Sequence, residues 1–513
     1  MEPNETRVDL FLLRVKTYGN LTDSAESGTA LAIDPGVTQW SPRESKWSIP
    51  RGPPRGRDEM NAGKLKRWGI APSLTKEFLR RIQELRDDGM SPKEIKALYR
   101  AVAEEPEEYL DDPRVGDLAE RVKNSTGFRE REEPAPWKKW GEDLDPAAIQ
   151  QLRNGCRLPI AHRGALMPDA HRGYGLPIGG VLATKNAVIP YAVGVDIACR
   201  VKMTVLDRPA SDIEEAAEEL ADALEEETRF GMGAAFERPH HHDVLDEDWE
   251  VSPITRQFRD KARKQLGSSG GGNHFAEFGV LTLEEPELGL EPGDYLALLT
   301  HSGSRGVGAS VAGHYSRLAK DLHPELPKEL RHLAWLDLDT EVGQEYWAAM
   351  NLMGKYASAN HAVMHREILS RLGAEALVTV ENHHNFAWKE VHDGEEVIVH
   401  RKGATPAGDG VLGVIPGSMT EPAFVVRGKG DADSLESAAH GAGRVMSRRQ
   451  AHQEIHWKEV EKELKESRVT LLSAGVDEAP QVYKDIEEVM AFQEDLVEPI
   501  ARFQPRIVKM AAD

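Results

Sequence analysis

Only two of the 513 residues are cysteine, Cys156 and Cys199. Two thiols exclude a disulfide framework, and a reducing cytoplasm is the expected compartment. No run of about 18 apolar residues occurs, so no membrane-spanning helix and no membrane partner is expected. The first residues open acidic and carry only a short apolar patch, which argues against a secretory leader. Positive charge is in deficit: 64 Lys and Arg against 86 Asp and Glu leave a net −22. That balance excludes a chain coated in nucleic-acid-binding surface, but a confined basic groove is still allowed, because counterion release depends on the contacting face alone. Two common phosphoryl-transfer signatures are also missing, the G-x-x-x-x-G-K-[ST] loop and the K-x-D-G motif of lysine-dependent ligases. No internal repeat is present.

What remains is a globular composition, 40% hydrophobic and 29% charged, long enough for a large core and more than one structural unit. Residues 1–60 mix polar residues, Gly and Pro and read as poorly ordered or linker-like, with Met60 as an alternative start. Residues 61–140 read as a small helical accessory region. Leu74, Phe78, Ile82 and Leu85 recur on one face, Ser91-Pro92-Lys93-Glu94 is a capping box, and Ile95, Leu98, Tyr99 and Val102 continue the stripe. The run from Arg129 to Pro136 reads as a linker, and a short helix is predicted from Asp145-Pro146 to Asn154, stopped by Gly155. Residues 141–513 then alternate Gly-rich turns, β-type runs (180–183, 201–205, 295–299) and helical runs (211–226, 310–322, 340–369, 446–465). This is the texture of a large α/β (mixed α+β) catalytic domain.

Chemistry-bearing residues cluster at the turns of that domain. Asp196 and Cys199 stand three apart, able to reach one cation that would hold the thiol as thiolate. Gly270-Gly271-Gly272 precedes Asn273, His274, Phe275 and Glu277, a backbone able to lie against phosphate followed by a polar series. His301 and Arg305 follow one apolar run, and Asn382-His383-His384-Asn385 follows another. His440 stands before Gly441-Ala442-Gly443 and ahead of Arg444 and Arg448, with a helical run expected next whose dipole adds to an anion site. The row His240-His241-His242 reads as a solvated loop. Mixed N, O and S ligands suit a borderline transition metal better than magnesium, and two such ions would polarise a phosphoryl group. Phosphoryl or nucleotidyl transfer is the reading these residues support.

The motifs carry a resemblance to a known family. From about Leu158 onward the chain resembles the RtcB family of GTP-dependent RNA ligases, through Met167-Pro168-Asp169-Ala170-His171, Gly194-Val195-Asp196-Ile197-Ala198-Cys199, the Gly270–Glu277 run, His301–Gly306, His384-Asn385, Arg401–Thr405, Pro416–Met419, His440–Arg444, Tyr483–Ile486 and Lys509. The resemblance implies joining of RNA 3′-phosphate or 2′,3′-cyclic phosphate ends to 5′-hydroxyl ends, with GTP and two manganese ions. It implies that His440 takes GMP. Cys199, His274 and His301 would hold one ion, and Asp196, Cys199 and His384 the other. Asn273 would touch the nucleotide phosphate. Phe275 and Tyr483 would sandwich guanine, with Glu277 and Lys509 reading its edge. Ser418, Gly441, Ala442, Gly443 and Arg444 would line the same pocket. Arg305, Arg401 and Lys402 are candidates for RNA or phosphate contact, and a basic groove is predicted from Arg401, Lys402, Arg444 and Arg448. Arg172, Arg200 and Thr420-Glu421 depart from the family pattern beside these positions. The alternative reading is a metal-dependent phosphohydrolase or a non-catalytic RNA-end binder.

Overall fold

The computed structural model describes residues 60–68, 70, 72–124 and 130–512. The readings for residues 1–59 and for Arg129 lie outside the described residues.

Helices Pro72–Asp87, Pro92–Glu104 and Gly116–Asn124 occupy the predicted helical region. Ser91 closes its capping box with Glu94, satisfying two N-terminal N–H groups reciprocally. The apolar stripe buries Leu74, Phe78, Leu85, Ile95, Tyr99 and Val102 with Leu118 and Val122 in a core of their own. Phe78 meets Tyr99 edge-on at 4.8 Å, and the Tyr99 hydroxyl donates to the Phe78 carbonyl at 2.8 Å. The expected linker leads straight into the catalytic part. Ala135 is buried, its N–H reaches the Cys156 carbonyl at 2.7 Å, and Trp137–Lys139 is a strand of the first large sheet. Residues 137–139 therefore stand with that sheet, not with the helices. The helix Pro146–Cys156 runs through Gly155, which packs flush against Leu182.

Two large sheets build most of the remainder, beside the two-stranded pairs Ala404–Pro406 with Ser437–Ala439 and Ala187–Val188 with Leu336–Asp337. The five-stranded sheet runs Trp137–Lys139, Ala161–Tyr174, Leu176–Thr184, Glu395–Lys402, Asn385–His392. The eight-stranded sheet runs Leu412–Pro416, Ala423–Gly428, Val497–Met510, Phe275–Leu283, Gly293–Ser302, Arg200–Pro209, Ala376–His383, with Thr470–Ser473 beside Val497–Met510. Within them only Trp137–Lys139 and Thr470–Ser473 pair in parallel, so the class is mixed α+β. The chain passes from one sheet to the other at His384, between Ala376–His383 and Asn385–His392. The 32-residue helix Glu341–Leu372 spans the predicted 340–369 run, capped by Thr340 and ended by left-handed Gly373. It packs with Pro253–Gln265 and Arg305–Leu322 in the largest core cluster, with Trp249, Tyr315, Tyr346 and Tyr356 buried there. The run expected as one helix after Gly443 begins only at Arg448, splits at Ile455, and resumes at Trp457.

Candidate active site

The site is assembled from strand ends. In Gly293–Ser302 alternate side chains face opposite sides, so His301 turns to one face of the sheet and Thr300 to the other. Cys199 stands just before the paired strand beginning at Arg200, and His274 just before Phe275. Their donor atoms meet around Cys199: its Sγ lies 3.3 Å from His274 Nε2 and 3.1 Å from His301 Nε2. His301 Nε2 lies 3.2 Å from His384 Nε2, and His274 Nε2 3.1 Å from Asp196 Oδ2. Asp196, Cys199, His274, His301 and His384 are thus brought together.

Within that set two groups close to within 4.8 Å, Cys199–His301–His384 and Asp196–Cys199–His274. Cys199 belongs to both, while the histidines pair differently from the ligand sets the resemblance implies. His301 Nδ1 donates to the Asn273 carbonyl at 2.9 Å, which leaves its Nε2 lone pair on the cluster side. Burial pushes the Cys199 thiol well up, and pushes His301 down to about 3. Asp196 is driven up by burial, yet the hydrogen bond and charge of His274 and the charge of Arg305 hold it below the usual carboxylate value. A divalent ion fits this set, since a buried thiol, three imidazoles and a carboxylate converging around Cys199 are the mixed S, N and O donors of a borderline transition metal.

Beside the cluster stands His440, its ring 4.7 Å from that of His384. Its Nδ1 donates to Asp169 Oδ2 at 2.6 Å, and its backbone N–H reaches the same oxygen at 3.2 Å. Asp169 is fully buried and comes from the Ala161–Tyr174 strand, 271 residues away. The carboxylate accepts the Nδ1 proton, which leaves the Nε2 lone pair unprotonated and free on the ring's other side. Gly443 makes the approach possible: with φ +75°, a β-carbon there would fall 2.1 Å from the Asp169 carbonyl oxygen.

A cavity of about 360 Å³ opens over these groups. It is lined by the five cluster residues and by Asn273, Phe275, Glu277, Ser418, His440, Gly441, Ala442, Gly443, Arg444 and Tyr483. Burial alone raises the Glu277 carboxyl well above its usual value, with no neighbouring cation to offset it. Arg444 stacks over the Tyr483 ring at 5.5 Å and reaches Glu478 at 3.3 Å. Arg448 pairs with both Asp477 and Glu478, and the Tyr483 hydroxyl donates to Glu478. Glu421, one of the departures, accepts from the Ser418 N–H at 3.1 Å and so holds the turn that lines the cavity.

Several expectations differ from the structure. Lys509 does not line the cavity. Val508 and Met510 face it opposite Glu277 and Phe275, so strand alternation turns Lys509 to the other side, where Nζ meets Glu225 at 2.8 Å. Arg401 is 1% exposed and bonded to Glu390, Ser437 and the Leu435 carbonyl. Lys402 is buried on the carbonyls of Tyr174 and Leu176, at 2.5 and 3.1 Å, where burial lowers it to about 7. Arg305 is likewise buried, on Ser268 and the Gly231 carbonyl. The predicted groove of Arg401, Lys402, Arg444 and Arg448 is therefore not formed: only the last two reach the cavity, already facing Asp477 and Glu478. Nor does a helix N-terminus follow Gly443 directly.

Three site residues escaped the sequence reading as functional groups: Asp169, which bonds His440, and the cavity residues His171 and Glu478. His171 lines the cavity and is pushed down to about 4 by burial. The signal for the first two was their place in the quoted Met167–His171 motif; Glu478 carried none.

The profile of the family described as tRNA-splicing ligase RtcB matches residues 151–252 and 240–510. The RNA-splicing ligase RtcB of Escherichia coli K12 is 35% identical over 399 residues, 72% of this chain and 95% of its own. The tRNA-splicing ligase RtcB of Methanococcus maripaludis is 31% identical over 425 residues, 68% of this chain and 88% of its own. That of Thermococcus kodakarensis is 29% identical over 432 residues, 70% and 89%. With a family profile covering most of the catalytic part and relatives matched nearly end to end, this chain belongs to the RtcB family of RNA-splicing ligases.

Proposed function

We propose that this chain seals RNA 3′-phosphate or 2′,3′-cyclic phosphate ends to 5′-hydroxyl ends, using GTP and manganese in a reaction relayed through His440. The observation that carries the reading is the braced imidazole: His440 Nδ1 held by buried Asp169 at 2.6 Å, beside a five-residue metal-donor cluster. In the first step His440 Nε2 attacks the α-phosphorus of GTP, the α–β bond breaks, and pyrophosphate leaves. A 2′,3′-cyclic end is first opened by water, which adds to phosphorus as O2′ leaves with a proton. An oxygen of the RNA 3′-phosphate then attacks the histidine-bound GMP, freeing the imidazole and leaving GMP on the RNA end. Finally the 5′-hydroxyl oxygen attacks the RNA phosphorus, gives up its proton, and expels GMP as the phosphodiester forms. Splitting the condensation in this way replaces one hard displacement by easier ones. Asp196, Cys199, His274, His301 and His384 would hold the ions, which supply Lewis-acid stabilisation of phosphoryl charge. Arg444 would meet phosphate oxygens, and Phe275, Glu277 and Tyr483 the guanine. A cytoplasmic location accords with the free thiols.

Incubation with α-labelled GTP and manganese tests this directly. Label on the wild type and none on His440→Ala is the expected result. Equal labelling of both removes His440 as nucleophile. No label on folded, metal-loaded wild type favours the hydrolase or end-binder reading.

A further inference from the structure

The chain is strongly acidic, and the arginines and lysine once expected to meet RNA are buried or already paired. One cluster of cations is different. Lys320, on the helix Arg305–Leu322, stands 4.7 Å over the Tyr191 ring and donates to His332 Nδ1 at 3.0 Å. Burial lowers the Lys320 ammonium, and the charge of nearby Arg331 lowers it further. Burial likewise lowers His332, helped by Lys320 and Lys402. Among the described residues Lys320, Arg331 and Lys402 make no ion pair with a carboxylate. Among the described residues no ion pair joins the sequence-adjacent acids Asp321 and Glu329 to them, while Glu325 pairs with His323 and Asp337 accepts from Trp335.

Aromatic rings gather at the same place. Tyr191 and His332 meet edge-on at 4.6 Å, and Tyr174 lies 5.9 Å from His332. Tyr174, which ends the strand Ala161–Tyr174, is 71% exposed, so its ring face is open to a stacking partner. The chain is pinned here. Gln151 bonds both the N–H and the carbonyl of Gly173, at 2.9 and 2.7 Å. Gly175, at φ +74°, lies so close to His332 that a β-carbon would fall 2.7 Å from its carbonyl oxygen. Three chain segments run from this cluster into the cavity: Tyr174 lies between cavity residues His171 and Ile178, Tyr191 lies five before Asp196, and Lys402 precedes cavity residue Gly403.

We propose that Tyr174, Tyr191, His332, Lys320 and Arg331 form a subsite for single-stranded RNA adjoining the sealing site, with an unpaired base stacked on Tyr174 and its phosphate held by the cations. The proposal rests on the RNA-ligase reading above. Aromatic faces stack any base, and unpaired cations beside them capture the backbone, which is how single strands are held without sequence preference. In an acidic molecule such a cluster also confines the electrostatic attraction to one approach.

The test measures equilibrium binding of a fluorescent single-stranded RNA bearing a 3′-phosphate, without GTP, at two salt concentrations. It compares wild type, Tyr174→Ala, Tyr174→Phe, and Lys320→Ala combined with Arg331→Ala. Labelling with α-labelled GTP is run on each as a check that the sealing site is intact. Tyr174→Ala weakens RNA binding about ten-fold while Tyr174→Phe keeps it, since stacking needs the ring and not the hydroxyl. The double variant flattens the slope of log affinity against log salt by about 1.4, the loss of two phosphate contacts on a single strand. All variants take up GMP as the wild type does. Wild-type affinity and salt slope in every variant overturns the subsite, and so does an equal loss in Tyr174→Ala and Tyr174→Phe. A wild type that takes no label and seals no RNA overturns the functional reading instead, and the binding data still judge the subsite separately.

Discussion

At the scale of single residues, the proposed chemistry turns on the pair Asp169 and His440, joined at 2.6 Å. Asp169→Asn keeps the shape but no longer holds the imidazole with Nε2 unprotonated. The rate of GMP uptake should fall by roughly 10²–10⁴-fold with little change in GTP binding, read by single-turnover labelling. A loss confined to GTP affinity would show that Asp169 positions nucleotide rather than the nucleophile. Lys509 and Glu277 form the second residue-scale case. Lys509→Met should leave the preference for GTP over ATP unchanged, because its ammonium sits with Glu225 behind the sheet. Glu277→Gln should erode that preference by about ten-fold or more if, as proposed, this buried cavity-lining carboxyl reads the guanine edge. Competition labelling with the two nucleotides decides between them. The ligand types were legible in the sequence, because thiol, imidazole and carboxylate announce their own chemistry. The role of Asp169 was not, since its partner is 271 positions away.

At the scale of elements, the strand Glu395–Lys402 explains why two cations were misjudged. It lies between Leu176–Thr184 and Asn385–His392, so it has no free edge and its last residues are buried. A reading of residue type alone sees Arg401 and Lys402 as surface charge; the pairing makes them internal supports. Arg401→Ala should therefore lower stability, leaving Glu390 with His392 alone as partner, rather than weaken RNA binding selectively. About 3–5 kcal/mol is the expected cost, read as a shift in the urea midpoint. The helical region behaves as a separate element. Phe78→Ala opens a cavity in its own core and costs that region roughly 3–5 kcal/mol. Its helices should lose amide-exchange protection while GMP uptake stays at the wild-type level; a matching loss of uptake would mean the two are coupled. These helices were legible because period and caps are local. The break of the run after Gly443 was not, because Arg444 and Val445 leave helical geometry to bridge and bond the segment around Val482 and Tyr483.

At the scale of the whole molecule, buried neutral histidines set the response to acid. His400 is fully buried, accepts from the Ile189 N–H at 2.9 Å and donates to the Leu182 carbonyl at 3.0 Å; burial pushes it down to about 4. The unfolded chain, with an ordinary imidazole near 6.5, binds more protons than the folded one between that pH and about 4. Stability is therefore complete above pH 6.5 and drains as pH falls, by about 2 kcal/mol from this group at pH 5. Urea midpoints at pH 7.5 and 5 should show the drop, and His400→Gln, which keeps an acceptor for Ile189, should show a shallower one. Sequence by itself determined the mixed α+β class, the helical region, the donor types and the family, because composition, period and motif spacing are properties of the chain in order. Only tertiary structure decided which cations are free, which side of a strand Lys509 takes, and that Asp169 braces His440. Those outcomes depend on which strands pair and which faces are covered, and pairing between distant segments is not written in any local stretch.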